Sequence, residues 1–378
     1  MTQRPGSSEA AAGRADGGPL VPRVGFILPG NHPEGNPSAG LAATLRLFAF
    51  GEDLGFDTAG IRQRHLERGV SAALPFLAAA TQRTTRIRLE TDVVPLGYET
   101  PFRLAEDFAT VDALSGGRVE VGISTSAPHG DLLAAYGRGG EQPDPYVLIE
   151  RFLEALEGHV LSSEPLQTPY GPQVPRIEPH VPGLRDRVWL GGGSGRSVRW
   201  AARHGLGLLL GNLSDAGGHE RFEPAQRDHV DEYYAEFAGP GVPAVGVERV
   251  IVPTTTATAA QRERYTAFAT AREARTARPA TLGARTVVFQ RDLVGSAEAI
   301  VARLLDDPSI DGRTQLRIAL PYGLDEGDYR QILFDVRHAV LPALGWEPAA
   351  DAAAAARDAE ASAPAAGGRA FATGAARI

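Results

Sequence analysis

Between residues 21 and 348, short apolar runs alternate with amphipathic stretches. Eight runs are short and rich in Val, Ile and Leu, the pattern of strands covered on both faces. They are RVGFILP (23–29), TAGIRQRH (58–65), IRLETDVVPL (87–96), RVEVGIS (118–124), RVWLGGG (187–193), LGLLLGNL (206–213), VGVERVIVPT (245–254) and QLRIALPYG (315–323). Helical spacing of apolar residues predicts helices over 41–54, 72–83, 101–115, 146–160, 197–205, 222–238, 262–275, 297–305 and 328–344. Pro101 suits a helix start, where its missing N–H costs nothing. A Pro- and Gly-rich loop is expected over 162–184, and the stretch 278–295 follows neither period.

Strand–helix alternation implies parallel strands joined by right-handed crossovers. Eight units predict a closed (β/α)8 TIM barrel, with a doubly wound open sheet as the competitor. No shift in composition marks a second domain. The reading is one barrel over 21–348 with insertions at 162–184 and 255–295. A Gly/Ala/Ser-rich N-terminal tail (1–20) and an Ala-rich C-terminal tail (349–378) have no apolar face to bury and are expected to be disordered.

Composition narrows the chemistry. The 378 residues are 43% hydrophobic and 22% charged, enough to build a core. There is no cysteine, which excludes disulfides, thiolate nucleophiles, Cys-ligated zinc and iron–sulfur clusters. There is no lysine either, so all 38 basic residues are arginine. Schiff-base chemistry and the Walker phosphate loop are excluded with it. The net charge of −8 argues against nucleic acid as a partner. No apolar run is long enough to span a membrane and no secretory leader is evident, so a cytoplasmic location is expected. The nine histidines form no metal-binding motif, and no metal is expected.

The strongest local signal is WLGGGSGRSVRWAARHGLG (189–207). A strand ends in three glycines, and a Ser-Gly-Arg-Ser turn opens a helix. The glycines admit close approach of a ligand to the backbone, and the helix start offers free N–H groups. Gly193, Ser194 and Ser197 are the candidate phosphate contacts, while Ser197 alone would serve equally as a helix cap. His65 closes the second strand, where barrel strands open into the active-site mouth. It is a candidate acid, base or hydrogen-bond donor. Glu106 and Asp107 are adjacent on a helix and point apart, which suits a solvated face or a salt bridge.

These segments together resemble the bacterial luciferase-like flavin monooxygenases. The likeness rests on VGFILP, AFGEDLGFDTAGIRQRH (49–65), FLAAATQRTTRIRLETDVVPL (76–96), TPFRLAEDFATVDALSGGRVEVGIS (100–124), RVWLGGGSGRSVRWAARHGLGLLL (187–210) and VLPALGWEP (340–348). It implies a TIM barrel binding reduced FMN, or alternatively the deazaflavin F420, at its mouth. For the FMN members it implies oxygenation of a small organic substrate by O₂ through a C4a-peroxyflavin. It implies a separate flavin reductase as supplier, and a homodimer or a heterodimer with a related subunit. Residue by residue, Gly193, Ser194, Ser197 and Tyr146 would meet the phosphate. Thr91, Asp92 and Val93 would underlie the isoalloxazine ring, with a non-proline cis peptide between Asp92 and Val93. Ser124 would lie near the reactive edge. His65 matches the second histidine of the family's "EHH", where Gln63 and Arg64 replace the other two residues. Arg64, turned inward, would hold an anionic substrate. Two further readings stay open: an F420-dependent oxidoreductase on the same barrel, and, favoured by those replacements, a non-catalytic accessory subunit that has lost its flavin.

Overall fold

The structure is a computed structural model and describes residues 18–126 and 143–348. Residues 1–17 and 349–378 of the predicted tails, and most of the segment 125–145, lie outside the described residues; Leu20, expected in the N-terminal tail, packs against the core and donates its N–H to the Leu344 carbonyl. Eight parallel strands close into a barrel: β1 (Val24–Leu28), β2 (Thr58–Ile61), β3 (Arg88–Thr91), β4 (Val119–Ser124), β5 (Val188–Gly191), β6 (Gly207–Leu210), β7 (Val245–Pro253) and β8 (Thr314–Ala319). Each pairs with its neighbour in sequence, β7 pairs with both β6 and β8, and β8 pairs with β1 to complete the ring. All eight predicted strands are present, and the (β/α)8 TIM barrel is the observed fold. Helices α1 (Pro37–Asp53), α2 (Ala73–Thr81), α3 (Pro101–Ser115), α4 (Pro145–Leu156), α5 (Gly195–Arg203), α6 (Phe222–Glu236), α7 (Ala259–Glu273), α8 (Ala297–Leu305) and α9 (Glu326–Asp335) accompany the strands.

The apolar strand positions face these helices. Leu89, Val119, Val121, Ile123, Leu208 and Leu316 are all fully buried in one continuous core with the inner faces of the helices. Strand side chains alternate between faces. The complementary positions therefore point into the barrel, and in this chain many of them are charged or glycine.

Several boundaries differ from the sequence reading, and three of them have a clear local reason. Helix α1 begins at Pro37 rather than 41, because Asn36 caps it by accepting from the Ala39 N–H and Pro37 fits its first turn. The predicted 328–344 helix stops as an α-helix at Asp335 and continues as a π turn, Val336–Val340, and a 3-10 turn, Leu341–Leu344. Pro342 has no N–H to give and would crowd the carbonyl four residues back, so the coil changes pitch before it. The predicted strand 206–213 splits at Gly211-Asn212. Leu213–Asp215 leaves the barrel and pairs antiparallel with Arg285–Phe289, which in turn pairs with Ala280–Leu282. That hairpin and the short strand Leu293–Gly295, which runs beside β7, fill the stretch that sequence periodicity left unassigned. The loop 162–184 contains a small hairpin, Leu166–Thr168 with Gly171–Gln173.

Candidate active site

The glycine-rich turn after β5 is built to leave a hollow. A Cβ on Gly192 would lie 2.6 Å from the Ser197 Cβ, and one on Gly193 would lie 2.5 Å from the Leu213 carbonyl oxygen. Both distances are below any real Cβ contact, so only glycine fits at either position. Ser194 is the N-cap of α5, which thus begins at Gly195, two residues before the sequence reading. The Ser194 Oγ accepts from the Ser197 N–H at 3.3 Å and lies 3.0 Å from the Ser197 Oγ. The Tyr146 hydroxyl, from the first turn of α4, sits 3.1 Å from the same Ser197 Oγ. Three hydroxyls therefore converge beside the free N–H groups of a helix start, a surrounding suited to an anion. Gly193, Ser194, Ser197 and Tyr146, singled out from separate parts of the sequence, are brought together.

A cation that sequence reading passed over stands beside them. The Arg196 guanidinium lies 4.3 Å over the Tyr146 ring and pairs with the Asp144 carboxylate at 3.0 Å. Asp144 is itself the N-cap of α4 and accepts from the Tyr146 N–H. One short motif thus ties the two helix starts together.

Gly191, Gly192 and Gly193 also line a cavity of about 250 Å³ at the C-terminal mouth of the barrel. A second hollow of about 230 Å³ adjoins it and holds Gln63, Arg64, His65 and Tyr98. Arg62, Asp92, Val93, Ser124 and Ser126 line both. Asp92, Val93 and Ser124 therefore stand where the two hollows meet, and the Asp92–Val93 peptide is cis. Thr91 does not line either hollow. Its hydroxyl donates to the Gly122 carbonyl at 2.8 Å and accepts from the Gly122 N–H at 2.9 Å, bridging β3 and β4.

His65 packs against Tyr98 with ring centroids 4.5 Å apart, and its Nε2 is 3.3 Å from the Gln63 amide nitrogen. Burial holds its pKa below the ordinary histidine value, with Glu99 opposing. Gln63 acts as a bolt: its amide donates to Glu99 and its carbonyl accepts from the Ala73 N–H at the start of α2. Arg64 is exposed at the rim of the second hollow. Glu106 and Asp107 both pair with Arg103 on the surface of α3 and stand apart from the site.

The floor of the mouth is ionic, and the sequence reading missed it. Arg62 donates to Glu248 at 2.5 Å and stands 3.6 Å from Asp92. Arg317 donates to both oxygens of Glu90 at 2.8 and 3.2 Å. Burial raises the Asp92 carboxyl to about 7, against the pull of Arg62 and with Glu248 and Glu90 adding to the rise. Burial also raises Glu90, in spite of Arg317. For Arg62, burial works against the charge, but Glu248 and Asp92 outweigh it and hold the guanidinium above its ordinary value. The Arg62 Nε and the Arg317 Nη1 are buried and have no protein partner. A glycine hollow at a helix start, with two orphaned donors on cavity-lining arginines, fits a ligand that carries a phosphate and a polar ring. Among the described residues, no cluster of three His, Asp or Glu offers a metal site, and no helix is long and apolar enough to cross a membrane.

Fold and site together define a (β/α)8 barrel with a glycine-cradled, ionic mouth. Residues 22–308 match the luciferase-like monooxygenase family, and the chain belongs to that family. It is 28% identical over 192 residues to the N-acetyl-S-alkylcysteine monooxygenase of Bacillus subtilis, covering 50% of this chain and 55% of that one. It is 39% identical over 111 residues to the F420-dependent glucose-6-phosphate dehydrogenase of Intrasporangium calvum, covering 28% and 33%. In three dimensions it is similar to apo-MsnO8, with a TM-score of 0.65 and 20% identity over 86% of this chain and 99% of the other. Users of FMN and users of F420 both occur among such relatives and neighbours. The chain spans about half the length of the curated relatives that it matches, or less.

Proposed function

We propose that this protein is a flavin-dependent monooxygenase that takes reduced FMN from a separate reductase and oxygenates a small organic substrate with O₂. The observation that carries the reading is the convergence of Gly193, Ser194, Ser197 and Tyr146 at the edge of the mouth cavity. It offers one phosphate's worth of hydroxyl and N–H donors, with Arg196 alongside, which suits FMN better than the longer tail of F420. When bound, the flavin supplies the reaction with O₂.

The chain's own residues have simpler tasks. The Gly193 N–H and the hydroxyls of Ser194, Ser197 and Tyr146 would hold the phosphate. Val93 and Ser124, between the two hollows, would support the ring, and Ile27, Leu209 and Leu210 would keep water from it. His65 would hold a hydrogen bond to a substrate oxygen, and burial keeps it neutral near pH 7. Arg64, exposed at the rim, would attract an anionic substrate. The working form is proposed to be a homodimer.

The test is an anaerobic titration of the protein with FMN, reduced FMN and F420, followed by oxygen uptake across a substrate panel. Saturable binding of reduced FMN and substrate-dependent oxygen uptake support the proposal. Preference for F420 replaces it with hydride transfer on the same barrel. Binding of none of the three leaves an accessory subunit that has lost its flavin. Light scattering should give the mass of two chains.

A further inference from the structure

We propose that Asp92 is the cavity's neutral carboxylic acid: it meets the ligand as a hydrogen-bond donor and can pass its proton to an acceptor oxygen or nitrogen there, leaving a carboxylate 3.6 Å from Arg62. The inference rests on reading this mouth as the ligand site. Its warrant is geometry and charge count. Three carboxyl groups, Glu90, Asp92 and Glu248, are buried at the centre of the barrel with two guanidinium groups, Arg62 and Arg317.

Arg317 is committed to Glu90 by two hydrogen bonds, and Arg62 to Glu248 at 2.5 Å. Asp92 has only the 3.6 Å approach of Arg62, and among the described residues its carboxyl makes no hydrogen bond. Two cations cannot neutralise three buried anions, and an uncompensated buried charge takes up a proton instead. The proton falls to the carboxyl with the poorest partner, which is also the one in the wall of both hollows. The largest influences on Asp92 are in this count: Arg62 from the end of β2, Glu90 from β3, Glu248 from β7 and Arg317 from β8. Of the other charges nearby, Glu120 is paired with Arg88 and Arg23, and Arg275 interacts with Glu248. The direction of the Asp92 shift agrees, with burial as its largest cause.

The first arm of the test needs no ligand. In protein carrying ¹³C-carboxyl aspartate, the Asp92 signal is identified by its loss in Asp92→Asn and followed from pH 4 to 9. A midpoint near neutrality is expected. Glu248→Gln should move that midpoint down, because it removes a like charge and frees Arg62 for Asp92. A midpoint below about 5, the ordinary aspartate range, overturns the proposal. So does a midpoint that Glu248→Gln leaves in place.

The second arm follows binding of oxidised FMN by calorimetry between pH 7 and 9, where its phosphate is already about nine-tenths ionised or more. Affinity should fall about tenfold per pH unit above the Asp92 midpoint, and binding at pH 8 should take up close to one proton. Asp92→Asn, which keeps the shape, should bind with no proton uptake and a flat profile. Proton uptake that persists in Asp92→Asn overturns the proposal. If neither oxidised nor reduced FMN binds, the flavin reading fails, and the carboxyl titration still decides the state of Asp92.

Discussion

Replacing Thr91 by valine removes one oxygen atom and keeps the side-chain shape. The Thr91 hydroxyl donates to the Gly122 carbonyl and accepts from the Gly122 N–H, and Thr91 is fully buried. In Thr91→Val both Gly122 groups lose their partner on this side with no water able to replace it. Each orphaned backbone group costs about 1–3 kcal/mol. The two are neighbours and their losses overlap, so the expected destabilisation is about 2–5 kcal/mol. Thr91→Ser keeps the hydroxyl and loses one methyl, and it should cost about 1 kcal/mol. Urea unfolding followed by tryptophan fluorescence is a suitable assay, since Trp189 lies opposite Gly122 in the β4–β5 ladder. The midpoint should shift in Thr91→Val while the slope stays the same. The folded variant should still bind FMN, because Thr91 lines neither hollow. A Thr91→Val protein that unfolds with Thr91→Ser, or one that is stable but has lost FMN, would refute the reasoning.

Other expectations follow from the same geometry. Gly192→Ala pushes a methyl group into Ser197, and should weaken FMN binding at least tenfold for about 1–3 kcal/mol of stability. Tyr146→Phe and Ser197→Ala should each weaken FMN binding about threefold to tenfold and leave riboflavin, which lacks the phosphate, unchanged; equal losses for both ligands would remove the phosphate assignment. Burial holds His65 and His229 below the ordinary histidine value of 6.5. The unfolded chain therefore binds protons that the native state refuses, and stability should fall as the pH drops below about 6.5, a dependence that His229→Gln should weaken. Arg317→Leu strands the buried Glu90 and should cost about 3–5 kcal/mol, whereas the double variant with Glu90→Leu should recover much of that loss.

How far the sequence could be read depended on which face of each strand carried the signal. The outer faces of β1–β8 are mostly apolar because helices cover them, with Arg249, paired to Asp307, as an exception, and that pattern was enough for eight strands and a closed barrel. The inner faces carry a different pattern, of charge and not of apolarity. In RLETD, Arg88, Glu90 and Asp92 fall on alternate positions, opposite the buried Leu89 and Thr91. Helices cover the outside of a parallel barrel, so charges at a two-residue period can only point inward. Glu120, Glu248 and Arg317 follow the same rule. The period was available as a signal, yet a run counted only for its apolar residues discards it. The partners could not be read this way: that Arg62 meets Glu248, 186 residues away, follows from barrel closure and not from local pattern.

The inward glycines explain how such a floor is possible. Barrel interiors are ordinarily filled by bulky branched side chains. Here a Cβ on Gly25 would press on Arg317, one on Gly246 would face the same arginine, and one on Gly60 would approach Ile27 and the Glu90 carboxylate. Absent side chains on β1, β2 and β7 make room for long charged ones from β3 and β8. The exchange replaces dispersion contacts with ion pairs, and buried pairs add little stability unless every donor and acceptor is used. Two donors are unused, on Arg62 and Arg317. Packing alone therefore does not account for this arrangement. It does account for a mouth in which charge is held ready at fixed positions, so that a ligand's polar edge meets oriented partners that need no rearrangement. On this view, refilling the interior with leucines should raise stability and abolish ligand binding together.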